Sequence, residues 1–335
     1  MSAFIKAISY YLPEEVLTNE QLLTEFPEWS VEKVALKLGI NQRHIAGANQ
    51  TAGDMAEQAA RKLFSEYNIP PDDIDFILLC TQSPDYFLPT TACILQDKLS
   101  IPTNSGALDF NLGCSGYVYG LSIAKGLIFS GIANNVLLLT AETYSKHIHP
   151  KDKSNRTIFG DGASATLVST NGFAEILKFS LGTDGKGAEK LMTKTGAFRN
   201  PNVINDIHWD EGGNPISSDY LYMDGTEIFN FTLENVPILV DDTLKKNNLS
   251  KDEISLFVFH QANKYLMNFL RKKLRIEEEK FYYYLKNVGN TVSSTIPIAL
   301  REARNENKLL GNILLAGFGV GYSWGGLVLY CDISK

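Results

Sequence analysis

The sequence predicts an α/β protein built from two pseudo-symmetric halves. Three observations carry this. The order strand, helix, strand, helix, strand occurs twice at matched spacing along the 335 residues. The strand candidates, such as DFILLC and NVLLLT, are unbroken apolar runs of the kind buried on both faces by helices. Corresponding junctions in the two halves carry glycine-marked turns leading into long helical segments. With 44% hydrophobic and 21% charged residues, the chain can fill two joined cores, since single cores stop growing near ~250–300 residues.

Taken in order, PPDDIDFILLCTQ (70–82) reads as a polar turn and a buried strand, and LSKDEISLFVFHQAN (249–263) repeats it. Aligning Asp73 with Glu253 sets Cys80 opposite His260. Helix candidates follow at 90–99 and 264–274. Next, 107–131 and 283–307 each read as a short strand, a turn and a long helix. Strands at 134–142 and 311–319 come after them, and glycine-rich strands at 159–170 and 321–332 close each half. The halves are expected to meet near 170–180, giving units 1–172 and 173–335. Segments 1–50 and 181–225 fall outside the repeat and are expected to be insertions capping the site.

The formal net charge is −7, so no global positive field favours nucleic acid. The opening MSAFIKAISYYLPEE lacks a secretory apolar region, and no run reaches the ~18–20 apolar residues of a membrane span. A cytoplasmic protein that avoids membranes is expected. The four cysteines, Cys80, Cys93, Cys114 and Cys331, form no C-x-x-C pair, arguing against a disulfide framework or a zinc site.

Chemistry is expected where Cys114, His260 and Asn290 converge. Cys114 lies in LGCSGYVYGL, where flanking glycines allow a tight turn and close approach. A sulfur at a helix N-terminus is expected to have a lowered thiol pKa, and turn N–H groups can bind an oxyanion. His260 ends the strand FVFHQAN, and Asn290 sits in NVGNTVSS. Together they offer two neutral donors for one oxygen, suited to a developing enolate. Each also has a plainer reading: a buried cysteine, a satisfied core histidine and a turn asparagine.

These motifs, in order from about residue 3 to 332, resemble the β-ketoacyl-ACP synthase III enzymes of the thiolase-like superfamily. LDFNLGCSGYVYGL, HQAN and NVGNT match its Cys, His and Asn motifs; GINQRHIA, FGDGASATLV and GFGVGYSWGG match three others. The resemblance implies a layered αβαβα thiolase-like fold and a homodimer. It implies that Cys114 takes an acyl group from acyl-CoA or acyl-ACP. His260 and Asn290 then stabilise the enolate from malonyl-ACP, and the carbanion attacks the acyl-Cys114 thioester. The backbone N–H groups of Cys114 and Gly319 form the implied oxyanion hole. The implied substrate contacts are Phe87, Leu88, Phe159, Asn263, Lys37 and Lys153, with Phe87 and Leu88 reaching a partner subunit's acyl pocket. Arg271, Lys272 and Lys273, with Arg275, are the implied docking face for acidic acyl carrier protein. No cofactor or metal is implied.

The sequence departs from the family at its nucleotide clamp. Lys33 and Lys37 stand where Trp and Arg are usual, Trp29 is displaced, Lys153 replaces Arg with Arg156 nearby, and Tyr265 replaces an Arg. Two enzyme alternatives share the fold: transfer of the acyl group to an alcohol or amine, and a degradative thiolase. Residues 316–326 lack the second cysteine the latter would want. A non-catalytic partner subunit is a third alternative; it would usually lose a site residue, and all three are present. GFGVGYSWGG lacks the third glycine of a dinucleotide motif, and G-C-S-G is not a serine elbow. His147, His149 and Asp152 read as a loop at the pocket entrance rather than a metal site, and His44 and His208 as structural or surface residues.

Overall fold

The computed structural model describes residues 2–332. Nine strands form the main sheet: β1 (Phe4–Tyr11), β2 (Phe76–Cys80), β3 (Gly106–Phe110), β4 (Asn135–Glu142), β5 (Gly162–Ser169), β6 (Ala174–Thr183), β7 (Ile254–Phe259), β8 (Gly311–Gly319) and β9 (Ser323–Cys331). Their spatial order is β7-β8-β9-β6-β1-β5-β4-β2-β3. Strands β2, β3 and β4 are parallel neighbours, as are β7 and β8; the remaining pairs are antiparallel. The two halves join at β1 and β6 through only two residue pairs, Phe4↔Glu175 and Ile5↔Ala174.

The principal helices are α1 (Val31–Leu38), α2 (Ala52–Tyr67), α3 (Thr91–Lys98), α4 (Gly116–Phe129), α5 (Gly225–Asn247), α6 (Lys264–Lys273) and α7 (Thr295–Asn305). Period-two alternation within the apolar strands sorts their side chains into separate cores. Ile77, Leu79 and Leu139 meet Met55, Leu63 and Leu95 on one outer face. Leu314 and Val328 meet Val240, Met267 and Leu270 on the other. Leu78, Leu138, Val258 and Leu315 turn inward onto Leu121, Ala124, Ile296 and Leu300 of α4 and α7. The result is helix, sheet, helix, sheet, helix: the expected layered α/β fold.

Three expectations need correction. Residues 4–11 are not part of an insertion, because β1 is the middle strand of the nine-stranded sheet, paired with β5 of its own half and with β6 of the other. The excursion ahead of α5 likewise begins only after Thr183. The short strand expected near 283 is reduced to one bridge, Phe257↔Phe281. There the Gln261 side chain takes over the ladder: its amide nitrogen donates to the Phe259 and Tyr282 carbonyls, and its oxygen accepts from Tyr284 N–H at 2.7 Å.

Candidate active site

Cys114 follows β3 in a turn closed by Gly116 N–H donating to Gly113 O at 2.8 Å, and α4 begins two residues later. The turn needs glycine where a neighbouring side chain crowds it: a Cβ at Gly116 would lie 2.3 Å from Cys80 Sγ. The residue is 7% exposed and packs with Tyr144, Phe159, Leu191, Leu221 and Val292. The sulfur therefore stands at a helix start, as expected, but its thiol is not lowered. Burial, followed by the neighbouring Glu142 carboxyl, pushes it up to about 12. Desolvation outweighs the helix dipole here.

The end of β8 passes directly beside this sulfur. A Cβ on Gly319 would sit 3.0 Å from Cys114 Cβ and 3.1 Å from Sγ. The backbones of Cys114 and Gly319 thus flank the space next to the thiol.

His260 leaves the end of β7, with its N–H donating to Ala316 O at 2.8 Å. Its Nδ1 meets Thr295 Oγ1 at 2.7 Å, leaving Nε2 for the cavity it lines. Burial lowers its pKa to about 3, so the ring is neutral. Asn290 is held by the Phe159↔Asn290 bridge, with its N–H donating to Ile158 O at 2.9 Å. Its Oδ1 accepts from Val292 N–H at 2.9 Å, which turns the Nδ2 amide outward as a donor.

His260, Asn290, Phe159, Asn263 and Lys37 line one cavity of about 420 Å³. Phe159 also packs on Cys114, bringing the sulfur's cluster to the same cavity. His260 and Asn290 therefore share one cavity with Asn263 and Lys37, and Cys114 adjoins it through the Phe159 cluster. Asn263 also caps α6, accepting from Leu266 N–H at 2.9 Å. Lys37 Nζ lies 6.0 Å from the Tyr265 ring.

Other chosen residues lie elsewhere. Lys153 is buried, ion-paired to Glu28 at 2.7 Å and set over Trp29, so its charge is spent within the chain. Arg156 is similarly held by Glu25. Phe87 and Leu88 are 68% and 87% exposed, away from the cavity; Phe87 packs on Phe198. Of the basic trio on α6, Arg271 is pinned by Asn268 and Glu278. Lys272 shares a 710 Å³ groove with it, and Lys273 is exposed. His147 lines a small second cavity, His149 packs on Tyr220, His44 bonds Pro13 O, and His208 is exposed.

Sequence reasoning missed Thr295, the partner of His260, and the cavity-lining Met223, Ile228 and Phe229. It also missed the buried Glu142, which accepts from Gln82 N–H and Ser293 Oγ. A carboxylate ending an apolar strand, as in NVLLLTAE, was the available signal for Glu142; Thr295 had none.

Comparison with known proteins bears on the chain as a whole. The family described as "3-Oxoacyl-[acyl-carrier-protein (ACP)] synthase III" matches residues 108–185, and its C-terminal counterpart matches 244–331. A β-ketoacyl-[acyl-carrier-protein] synthase III of Clostridium perfringens is 36% identical over 322 residues, covering 95% of this chain and 96% of that protein. A 2.1 Å crystal structure of a 3-oxoacyl-(acyl-carrier-protein) synthase III superposes with a TM-score of 0.96 at 49% identity, covering 98% and 100% of the two chains. The corresponding Burkholderia xenovorans structure gives 0.90 at 35% identity, covering 99% and 95%. With this fold and relatives spanning nearly its whole length, the chain belongs to the β-ketoacyl-[acyl-carrier-protein] synthase III family, an acyltransferase family of condensing enzymes.

Proposed function

We propose that Cys114 is the nucleophile of a decarboxylative condensation and that His260 and Asn290 are its enolate-stabilising pair. Sγ attacks the carbonyl of an acyl thioester, the donor C–S bond breaks, and the thiol proton leaves on the departing thiol. Malonyl-ACP then loses carbon dioxide, and the electrons of the broken C–C bond become an enolate at the thioester oxygen. The Asn290 amide and the Nε2–H tautomer of His260 donate to that oxygen. The carbanion attacks the acyl-Cys114 carbonyl, with Cys114 and Gly319 N–H groups receiving the oxyanion, and the sulfur departs.

The proximity of Cys114 to Gly319, with Phe159 between the sulfur's cluster and a cavity lined by His260 and Asn290, carries this reading. Acyl-CoA or acyl-ACP is the donor, acyl carrier protein docks near Lys272 and Lys273, and the molecule works as a cytoplasmic homodimer. No helix among the described residues is long and apolar enough to cross a membrane. Phe87 and Leu88 enter the partner's acyl pocket in this reading. The two folding halves divide at 172/173, in the short turn between β5 and β6. Transfer to an alcohol or amine is disfavoured because it needs no enolate donors.

Intact-mass spectrometry tests the assignment. Cys114→Ala is expected to lose acylation by acyl thioesters entirely. His260→Ala and Asn290→Ala are expected to load normally but release carbon dioxide from malonyl-ACP on the order of 10²–10³ more slowly. Full acylation of Cys114→Ala would remove the nucleophile, and unchanged decarboxylation would remove the pair.

A further inference from the structure

A second cavity, of about 160 Å³, reaches the Cys114 cluster by another route. Tyr144, Leu191 and Leu221 line it and also pack with Cys114. Phe159, on the wall of the larger cavity, meets Tyr144 with ring centroids 5.1 Å apart. Cys114 therefore stands where the two cavities approach each other. The larger one holds His260 and Asn290; the smaller one shares Tyr144, Leu191 and Leu221 with the Cys114 cluster.

Its lining is unusual for an alkyl pocket. Alongside Leu191 and Leu221 it presents Gln82, Asn111, Tyr144 and His147. These polar groups are held in place. The buried Tyr144 hydroxyl donates to Gln82 Oε1 at 3.1 Å, and Gln82 Nε2 donates to Asn111 Oδ1 at 3.2 Å. Gln82 Oε1 lies close to the nucleophile's turn, 2.7 Å from where a Gly113 Cβ would stand. The loop carrying Gln82 is anchored by Glu142, which accepts from Gln82 N–H at 3.0 Å and from Ser83 Oγ at 3.4 Å. Ser83 Oγ in turn meets His147 Nε2 at 3.3 Å.

The hydrogen-bonding capacity is not exhausted by these contacts. Gln82 keeps a second amide hydrogen and a second oxygen lone pair, and the Tyr144 oxygen can still accept. A purely hydrocarbon group would strip water from these atoms without replacing its hydrogen bonds. The volume is also well below the ~300–1,000 Å³ of pockets that hold larger ligands.

Building on the assignment of Cys114 as the acyl-carrying nucleophile, we infer that the smaller cavity selects a short acyl group bearing an oxygen substituent close to the thioester, and that Gln82 and Tyr144 are the residues that recognise it. The loading step is unchanged: Sγ bonds the acyl carbon, the donor C–S bond breaks, and the proton leaves with the donor thiol. The substituent takes no part in bond making; it exchanges hydrogen bonds to water for hydrogen bonds to Gln82 and Tyr144.

The test uses the full-length protein and two N-acetylcysteamine thioesters of matched shape, 3-hydroxybutanoyl and 3-methylbutanoyl, which place a hydroxyl or a methyl on the same carbon. Loading rates onto Cys114 are read by intact mass. The wild-type protein is expected to load the hydroxy substrate at least about tenfold faster. Gln82→Leu and Tyr144→Phe, each checked for an unchanged thermal midpoint, are expected to bring the ratio toward one. A wild-type ratio at or below one overturns the substrate class. A tenfold ratio retained in both variants overturns the assignment to Gln82 and Tyr144. If neither thioester nor acetyl-CoA loads, or if Cys114→Ala loads equally, the nucleophile assignment itself fails and the inference falls with it.

Discussion

At rest, Cys114 and His260 are both neutral. Burial holds the thiol near 12 and the imidazole near 3, so no thiolate–imidazolium pair exists at pH 7. Alkylation of the free enzyme by iodoacetamide is accordingly expected to be slow at pH 7 and to keep rising through pH 10. A plateau below pH 9 would contradict it. The Thr295 hydroxyl is coupled to the imidazole's tautomer, because its oxygen stands 2.7 Å from Nδ1 and 3.0 Å from Val292 O. With its hydrogen toward Nδ1, Nε2 carries the proton and donates; with its hydrogen toward Val292 O, Nε2 faces the cavity as an acceptor. Thr295→Val, which keeps the shape and removes the hydroxyl, is expected to slow condensation about tenfold while leaving Cys114 loading intact. Comparing malonyl-ACP turnover with single-turnover acylation separates the two.

Elements matter here chiefly through their ends. Strands β3, β7 and β8 deliver Cys114, His260 and Gly319 at or just past their carboxyl ends, where open α/β sheets form crevices. Helix α6 is fixed to the rim by Asn263, whose side chain accepts from Leu266 N–H. Asn263→Ala is expected to cost about 1 kcal/mol of stability, and Asn263→Asp, which keeps the cap, to cost much less. Urea unfolding of the three proteins decides it. Gly319→Ala places a methyl 3.1 Å from the sulfur and is expected to slow acyl loading at least about tenfold with little loss of folding. Strands β2 and β4 were legible because both faces are buried and their sequences are continuous apolar runs. β1 was not: FIKAISYY carries Lys6 on an exposed position and lies far from the repeat's other strands. The second-half strand near 283 failed for the opposite reason, because a side chain, Gln261, replaced backbone pairing.

For the whole molecule, two buried groups pull pH stability in opposite directions. The unfolded state protonates His260 near its ordinary 6.5 while the folded ring resists until about 3, so this group's contribution is lost as pH falls through that window. Glu142 is raised to about 8 by burial, so the folded state holds a proton that the unfolded chain has released; its contribution is lost as pH rises from about 4.5 to 8. Glu142→Gln is expected to gain stability relative to wild type between pH 5 and pH 8, measured by urea unfolding at both. A gap that does not widen would mean that Glu142 is charged when folded. The sequence by itself determined the repeat and the family, and pointed to Cys114, His260 and Asn290, because periodicity, motifs and local turn chemistry are written in consecutive residues. Only the tertiary structure decided the protonation of the site, the capture of Lys153 by Glu28, and the polar cavity built from Gln82, Tyr144 and His147. Those depend on desolvation and on contacts between distant segments, which no local pattern encodes.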